Sequence, residues 1–176
     1  MADPVRCGAS DGLGARMMRL TRAIEFSTSL RCARPDLSDA ENERLYGPDS
    51  RQHGHNYRLE VTLRGDPDPR TGMVIDLKEV QEILEREIME RFDHRDLNRD
   101  TPYFEKDAPT HENFARVIER ILVAALPAGW LDRIRLQPEV DTWVEIVAPG
   151  SNDSARSRRA ARSARNGDAA RRGGSA

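Results

Sequence analysis

Lysine is almost missing from this chain. Two of its 28 basic residues are lysine, Lys78 and Lys106, and the rest are arginine, a bias that follows genome composition more readily than function. Cysteine is scarce as well. Cys7 and Cys32 are the only two, too few for a disulfide framework in a chain expected to be cytoplasmic. Long apolar runs are absent. No stretch approaches the roughly 18 apolar residues of a transmembrane helix. The opening segment has no apolar core of about 7–15 residues, so no secretory signal is expected. Net positive charge is missing from the body of the chain. The net charge of −2 hides a basic end, because residues 150–176 hold seven arginines against two aspartates. The acidic remainder excludes a basic nucleic-acid footprint. Weak contact with RNA or an acidic partner is left to the tail alone.

At 176 residues and 38% apolar content, one globular domain with additional tail is expected. Residues 1–17 read as a flexible leader, 18–149 as the domain, and 150–176 as a disordered Arg/Ala/Ser-rich tail. That tail has no large apolar side chain to offset the entropy of ordering.

Within the domain, residues 19–29 alternate in part. Residues 56–64 do so clearly, with Tyr57, Leu59, Val61 and Leu63 on one side and Arg58, Glu60, Thr62 and Arg64 on the other. That pattern predicts strands with one dry face. GDPDPRTG at 65–72 predicts a turn. Asp76 with Glu79 predicts a capping-box-like helix start, followed by a stripe of Leu77, Val80, Ile83, Leu84 and Ile88. Thr110 predicts a second N-cap, with Phe114, Val117, Ile118, Ile121 and Leu122 as the buried stripe. Two strands follow, around Ile134 and Leu136 and over 143–147. The expected fold is α+β: a ββααββ antiparallel four-stranded sheet with two helices on one face.

The four histidines are the main carriers of chemistry. His53 and His55 stand at i and i+2 before the clear strand, so they point to one side. Gly54 is expected to keep the space between them open. Two imidazoles so placed suit zinc, although an isolated HxH is more often a pair of ordinary surface or turn histidines. Asp93 precedes His94 and can orient it for proton transfer, or both can belong to a polar loop. His111 and Glu112 read as first-turn surface residues, the glutamate favoured there by the helix dipole. Glu139 can accept two parallel N–H bonds from an amidine-like heterocycle edge, or can be an ordinary loop acid.

Several segments together carry a resemblance. They are IEFSTSLRC at 24–32, LSDAENERLYG at 37–47, HGHNYRLEVTLRG at 53–65 and DPRTGMVIDLKEV at 68–80. FDHRDLN at 92–98, PYFEKDAPTHEN at 102–113 and QPEVDTW at 137–143 follow in order. The chain resembles the 6-pyruvoyl/6-carboxytetrahydropterin synthase family. The resemblance implies the tetrahydropterin synthase-like tunnelling fold. It implies that three subunits close a barrel, that two trimers stack into a homohexamer, and that active sites lie between subunits. It implies a lyase acting on 7,8-dihydroneopterin triphosphate or a related pterin, with zinc (Zn2+) as the metal. His53 and His55 are the implied ligands, Glu139 the pterin anchor, and Asp93 and His94 the proton-transfer pair. Thr110 and Glu112 are implied to shape the substrate pocket.

Two positions depart from the pattern. Leu30 stands where the family carries its first zinc histidine. Asp49 stands where it carries the catalytic cysteine; a carboxylate there occurs in members with altered side-chain cleavage. Asp49 is therefore the candidate base, and Cys32, two residues beyond Leu30, the candidate replacement ligand. The alternative is a non-catalytic member that binds a pterin or assembles with an active paralogue.

Overall fold

The computed structural model describes residues 17–148. The tail, Cys7 and all of the leader except Met17 lie outside the described residues. None of the described helices is long and apolar enough to cross a membrane.

Four long strands form an antiparallel sheet: β1 (Met18–Leu30), β2 (His53–Gly65), β4 (Leu131–Glu139) and β5 (Thr142–Val147). A fifth, two-residue strand, β3 (Arg95–Asp96), adds parallel to the outer edge of β1, giving the order β3-β1-β2-β4-β5. The expected four-stranded ββααββ arrangement is thus corrected to five strands. Arg95 and Asp96 are charged and lack any alternating apolar run, so no periodicity announces β3. It forms because the chain leaving the helix must run back along Thr28 and Ser29.

The helices are also more numerous than expected. α1 (Asp39–Tyr46) is capped by Ser38, which accepts from the Glu41 amide while Glu41 reaches back to the Ser38 amide. This is the reciprocal capping box, found here rather than at Asp76. Asp76 caps α2 (Leu77–Leu84) by accepting from the Lys78 amide. α2 passes through a π-turn, Glu85–Met89, into α3 (Glu90–Phe92). α4 (His111–Ala125) is capped by Thr110, which accepts from the Asn113 amide at 3.3 Å.

One apolar core fills the space between sheet and helices. Leu59, Val61 and Leu63 of β2 meet Ile134 and Leu136 of β4, Val80, Leu84 and Ile88 of the first helix pair, and Phe114, Ile118 and Leu122 of α4. Leu77, expected in the stripe, is exposed instead. Phe114 is the hub: its ring lies 5.3 Å from Tyr57, 5.0 Å from Phe92, 6.0 Å from Phe104 and 6.1 Å from Phe26. These edge-on contacts fasten the N-terminal turn of α4 to the start of β2. Truncating Phe114 to alanine would cost about 3–5 kcal/mol. The opposite sheet face is polar, with Arg58 bridging Glu25 and Glu60, and Arg133 facing Glu145.

Candidate active site

The start of β2 sets the site. Pairing of β1 with β2 places Leu30 opposite His53, Thr28 opposite His55 and Phe26 opposite Tyr57. All six side chains therefore share the helix-covered face. His53 and His55 do point to one side, their ring centroids 5.1 Å apart. Gly54 faces the other way, so it does not hold a gap between the rings. A Cβ there would lie 3.2 Å from the Thr28 carbonyl oxygen, and glycine permits that close strand approach.

His111 joins them from the first residue of α4. Its ring centroid is 4.8 Å from that of His55, and its Nδ1 lies 2.9 Å from the Tyr57 hydroxyl. The surface role expected for His111 is therefore corrected: it is half-buried and packed against a strand histidine. The cause is the aromatic hub, which draws the first turn of α4 onto β2. Tyr57, read from sequence as an apolar strand position, is fully buried and directs its hydroxyl at this ring. The period-two run His53, His55, Tyr57 was the available signal for Tyr57, and a histidine inside the Thr-x-Glu-Asn segment was the signal for His111.

Carboxylates surround the imidazoles. Asp49 sits in the 3-10 turn Gly47–Ser50 and is tied to the end of β1, because the Cys32 amide donates to its carbonyl at 2.8 Å. The charges of Asp49 and Glu139 act on both His55 and His111, and Glu112 acts on His111. Burial nevertheless dominates and holds both imidazoles below the usual histidine range. Neighbouring histidine cations push the same way. Glu112 is held low by its own helix-start amide, with Thr110 assisting. Cys32 lies just beyond the end of β1 and is buried. Burial, with the Asp49 and Glu112 charges adding, pushes its thiol up to about 11. The Tyr57 hydroxyl is also raised by burial.

Asp93 and His94 form a second group, on the far side of β1 from β2. The Ser27 amide donates to Asp93 Oδ1 at 2.9 Å, and the His94 amide donates to the Ser27 carbonyl at 2.7 Å. The other Asp93 oxygen lies 2.9 Å from His94 Nδ1. The Ser27 bond holds the Asp93 carboxyl below its usual range, with His94 assisting. His94 adopts φ 56°, in the left-handed region that side-chain-bearing residues seldom occupy. Its ring is 82% exposed, so Nε2 is open to a partner outside this chain. The structure thus gathers His53, His55, His111, Asp49, Glu139, Thr110 and Glu112 at one end of the sheet and keeps Asp93 and His94 apart from them.

Whether these residues suit zinc can be asked of the donors. Leu30 is fully buried and has no lone pair, so β1 and β2 alone cannot supply three histidines. Three imidazoles still stand in a row, a donor set that suits zinc in kind. Among the described residues, however, no group of three or more His, Cys, Asp and Glu side chains is placed so that it could hold a metal ion without rearrangement of the side chains.

Comparison with known proteins agrees with the fold. Residues 19–148 match the family described as 6-pyruvoyl tetrahydropterin synthase. The chain is 42% identical over 120 residues to the 6-pyruvoyl tetrahydrobiopterin synthase of Pongo abelii, covering 67% of this chain and 83% of that one. It is 39% identical over 131 residues to the Homo sapiens protein of the same name, covering 73% and 90%. The solved structure of Caenorhabditis elegans 6-pyruvoyl tetrahydropterin synthase superposes with a TM-score of 0.71 at 29% identity, covering 76% of this chain and 96% of that one. With a matching sequence over nearly all of the described residues and the same fold beneath it, the chain belongs to the 6-pyruvoyl tetrahydropterin synthase family.

Proposed function

We propose that the chain is a pterin-synthase-like lyase that acts on the side chain of 7,8-dihydroneopterin triphosphate, with elimination of triphosphate as its first reaction. The observation that carries this reading is the convergence of His53, His55, Asp49 and Glu139 on one end of the sheet, in a family whose matched relatives are pterin synthases. Glu139 ends β4 and is exposed. A carboxylate there accepts two parallel N–H bonds from the guanidine-like edge of a pterin. In this reading Thr110 and Glu112, at the start of α4, would help to shape the pterin pocket.

His53 and His55 are the residues that would hold zinc, and bound zinc would supply Lewis acidity to the side-chain oxygens of the substrate. The remaining chemistry belongs to the chain. Asp49 takes a proton from the substrate side chain. Asp93 holds His94 with Nδ1–H pointed at its carboxylate, leaving Nε2 to exchange a proton with substrate.

Within one chain the two groups lie on opposite sides of β1, so the reading requires assembly. A homohexamer built as a dimer of trimers would bring the Asp93–His94 pair of one chain to the Asp49 cleft of another. It would also cover the exposed strand edges β3 and β5. A cytoplasmic location goes with this reading, as a small-molecule enzyme acting on a soluble substrate.

The second reading, a non-catalytic member that binds a pterin or partners an active paralogue, is favoured by Leu30 and Asp49 at the two departing positions. Asp49→Asn separates them. If Asp49 is the base, the variant keeps the oligomer seen in light scattering and loses triphosphate release. Unchanged release rejects Asp49 as the base. A wild-type protein that binds the pterin without releasing triphosphate supports the second reading.

A further inference from the structure

We propose that His111 is the third metal ligand of this chain. With His53 and His55 it forms a three-imidazole zinc site drawn from β2 and the start of α4, replacing the β1 ligand that Leu30 removes. The inference concerns the same site as the lyase reading, but its test reads metal rather than turnover, so either can fail alone.

The first support is spacing. Imidazole nitrogens held at about 2.0–2.1 Å by one tetrahedral zinc place neighbouring ring centroids about 5 Å apart. The centroids of His53 and His55 are separated by 5.1 Å, and those of His55 and His111 by 4.8 Å.

The second is the assignment of ring protons. The Arg51 carbonyl only accepts, so His53 Nδ1, 2.8 Å away, carries the hydrogen, and its Nε2 keeps the lone pair. The Tyr57 hydroxyl can play the same part for His111, accepting from Nδ1–H at 2.9 Å and turning Nε2 toward the metal. An acceptor on the second ring nitrogen is the usual companion of a ligating histidine, fixing its tautomer and orientation.

The third is an orphaned polar atom. Thr28 stands directly opposite His55, is 5% exposed, and its hydroxyl has no hydrogen-bond partner. Cross-strand neighbours of this kind have Cβ atoms about 4.5–5.5 Å apart. A turn of the His55 ring in the metal-bound arrangement would bring its second nitrogen to this hydroxyl, which would then serve as its outer partner. The donors do not yet converge on one point. Closing them takes ring rotation about the last side-chain torsion, which for histidine is broad and soft. Two elements contribute: the strand supplies His53 and His55, and the helix start supplies His111.

Metal content and cobalt spectra of the full chain, purified without a metal-binding tag, test the proposal. The wild type is expected to hold about one zinc per chain. His111→Ala and His111→Asn are expected to weaken zinc binding at least 100-fold, with the oligomer and circular dichroism unchanged. Cys32→Ala and His94→Ala are expected to bind zinc like the wild type. Cobalt bound to the wild type should show d–d bands without a thiolate charge-transfer band. Should either His111 variant fold poorly, the other and the cobalt spectrum still decide. Zinc binding unaffected by both His111 variants overturns the proposal. So does a thiolate band that vanishes with Cys32→Ala, or a wild type that takes up no zinc. A protein that binds zinc through His111 and leaves the pterin unchanged supports this inference and refutes the lyase reading.

Discussion

Replacing Tyr57 by phenylalanine isolates one atom of the site. The Tyr57 ring is fully buried, stacks on Phe26 at 5.7 Å and meets Phe114 edge-on at 5.3 Å. Phenylalanine keeps both contacts. What is lost is the hydroxyl 2.9 Å from His111 Nδ1. One hydrogen bond of this kind contributes about 0.5–1.5 kcal/mol net. Metal-free Tyr57→Phe should therefore melt about 4 °C lower. Tyr57→Ala, which empties the ring site, should cost about 3–5 kcal/mol by analogy with phenylalanine truncation. In zinc a second term enters. Loss of an outer partner lowers metal affinity about 10–100-fold, and stabilisation by a ligand follows its affinity. The gap between wild type and Tyr57→Phe should thus widen by about 1.4–2.7 kcal/mol in excess zinc. Urea melts in chelator and in buffered zinc measure both terms. Equal gaps in the two conditions would refute a link between the hydroxyl and the metal. A chelator gap as large as that of Tyr57→Ala would refute the packing argument.

Four further outcomes are expected. His55 and His111 have folded-state pKa values below the ordinary 6.5, chiefly through burial. The unfolded chain therefore binds their protons first as pH falls. Stability in chelator should be level above about pH 6.5 and decline below it, less steeply in His55→Ala and His111→Ala; an unchanged slope in both would contradict this. Cys32, its thiol raised to about 11, should resist iodoacetamide at pH 8 in a Cys7→Ser background and react once unfolded. Prompt labelling of the native protein would count against the burial argument. Asp93→Asn should keep zinc and lower turnover about 10²–10⁴-fold, the usual worth of a positioned proton-transfer group; undiminished turnover would remove the pair from the mechanism. Glu139→Gln should raise KM for the pterin about 10–100-fold, as loss of a charge-assisted bond of about 1.5–3 kcal/mol implies, and an unchanged KM would place the anchor elsewhere.

The parts of the fold written in periodicity were legible. Alternation over 56–64 and the stripes around Val80 and Phe114 correspond to β2 and the two main helix faces. β3 and α1 were not, since a charged two-residue strand and a polar eight-residue helix bury too little apolar surface to leave a pattern. The paired histidines were legible because i and i+2 in a strand share a face whatever surrounds them. The approach of His111 was not. It depends on α4 docking through Phe114 onto residues some fifty positions earlier, a tertiary event that a first-turn position does not reveal. Leu30 and Asp49 were visible as departures, but only the β1–β2 register shows a fully buried Leu30 facing His53.

The most direct test of the account is turnover of 7,8-dihydroneopterin triphosphate by the zinc-loaded oligomer, followed by phosphorus NMR and mass spectrometry of the pterin. The account predicts stoichiometric release of inorganic triphosphate with a pterin altered only in its side chain. An intact substrate after prolonged incubation with protein shown to hold zinc would contradict it.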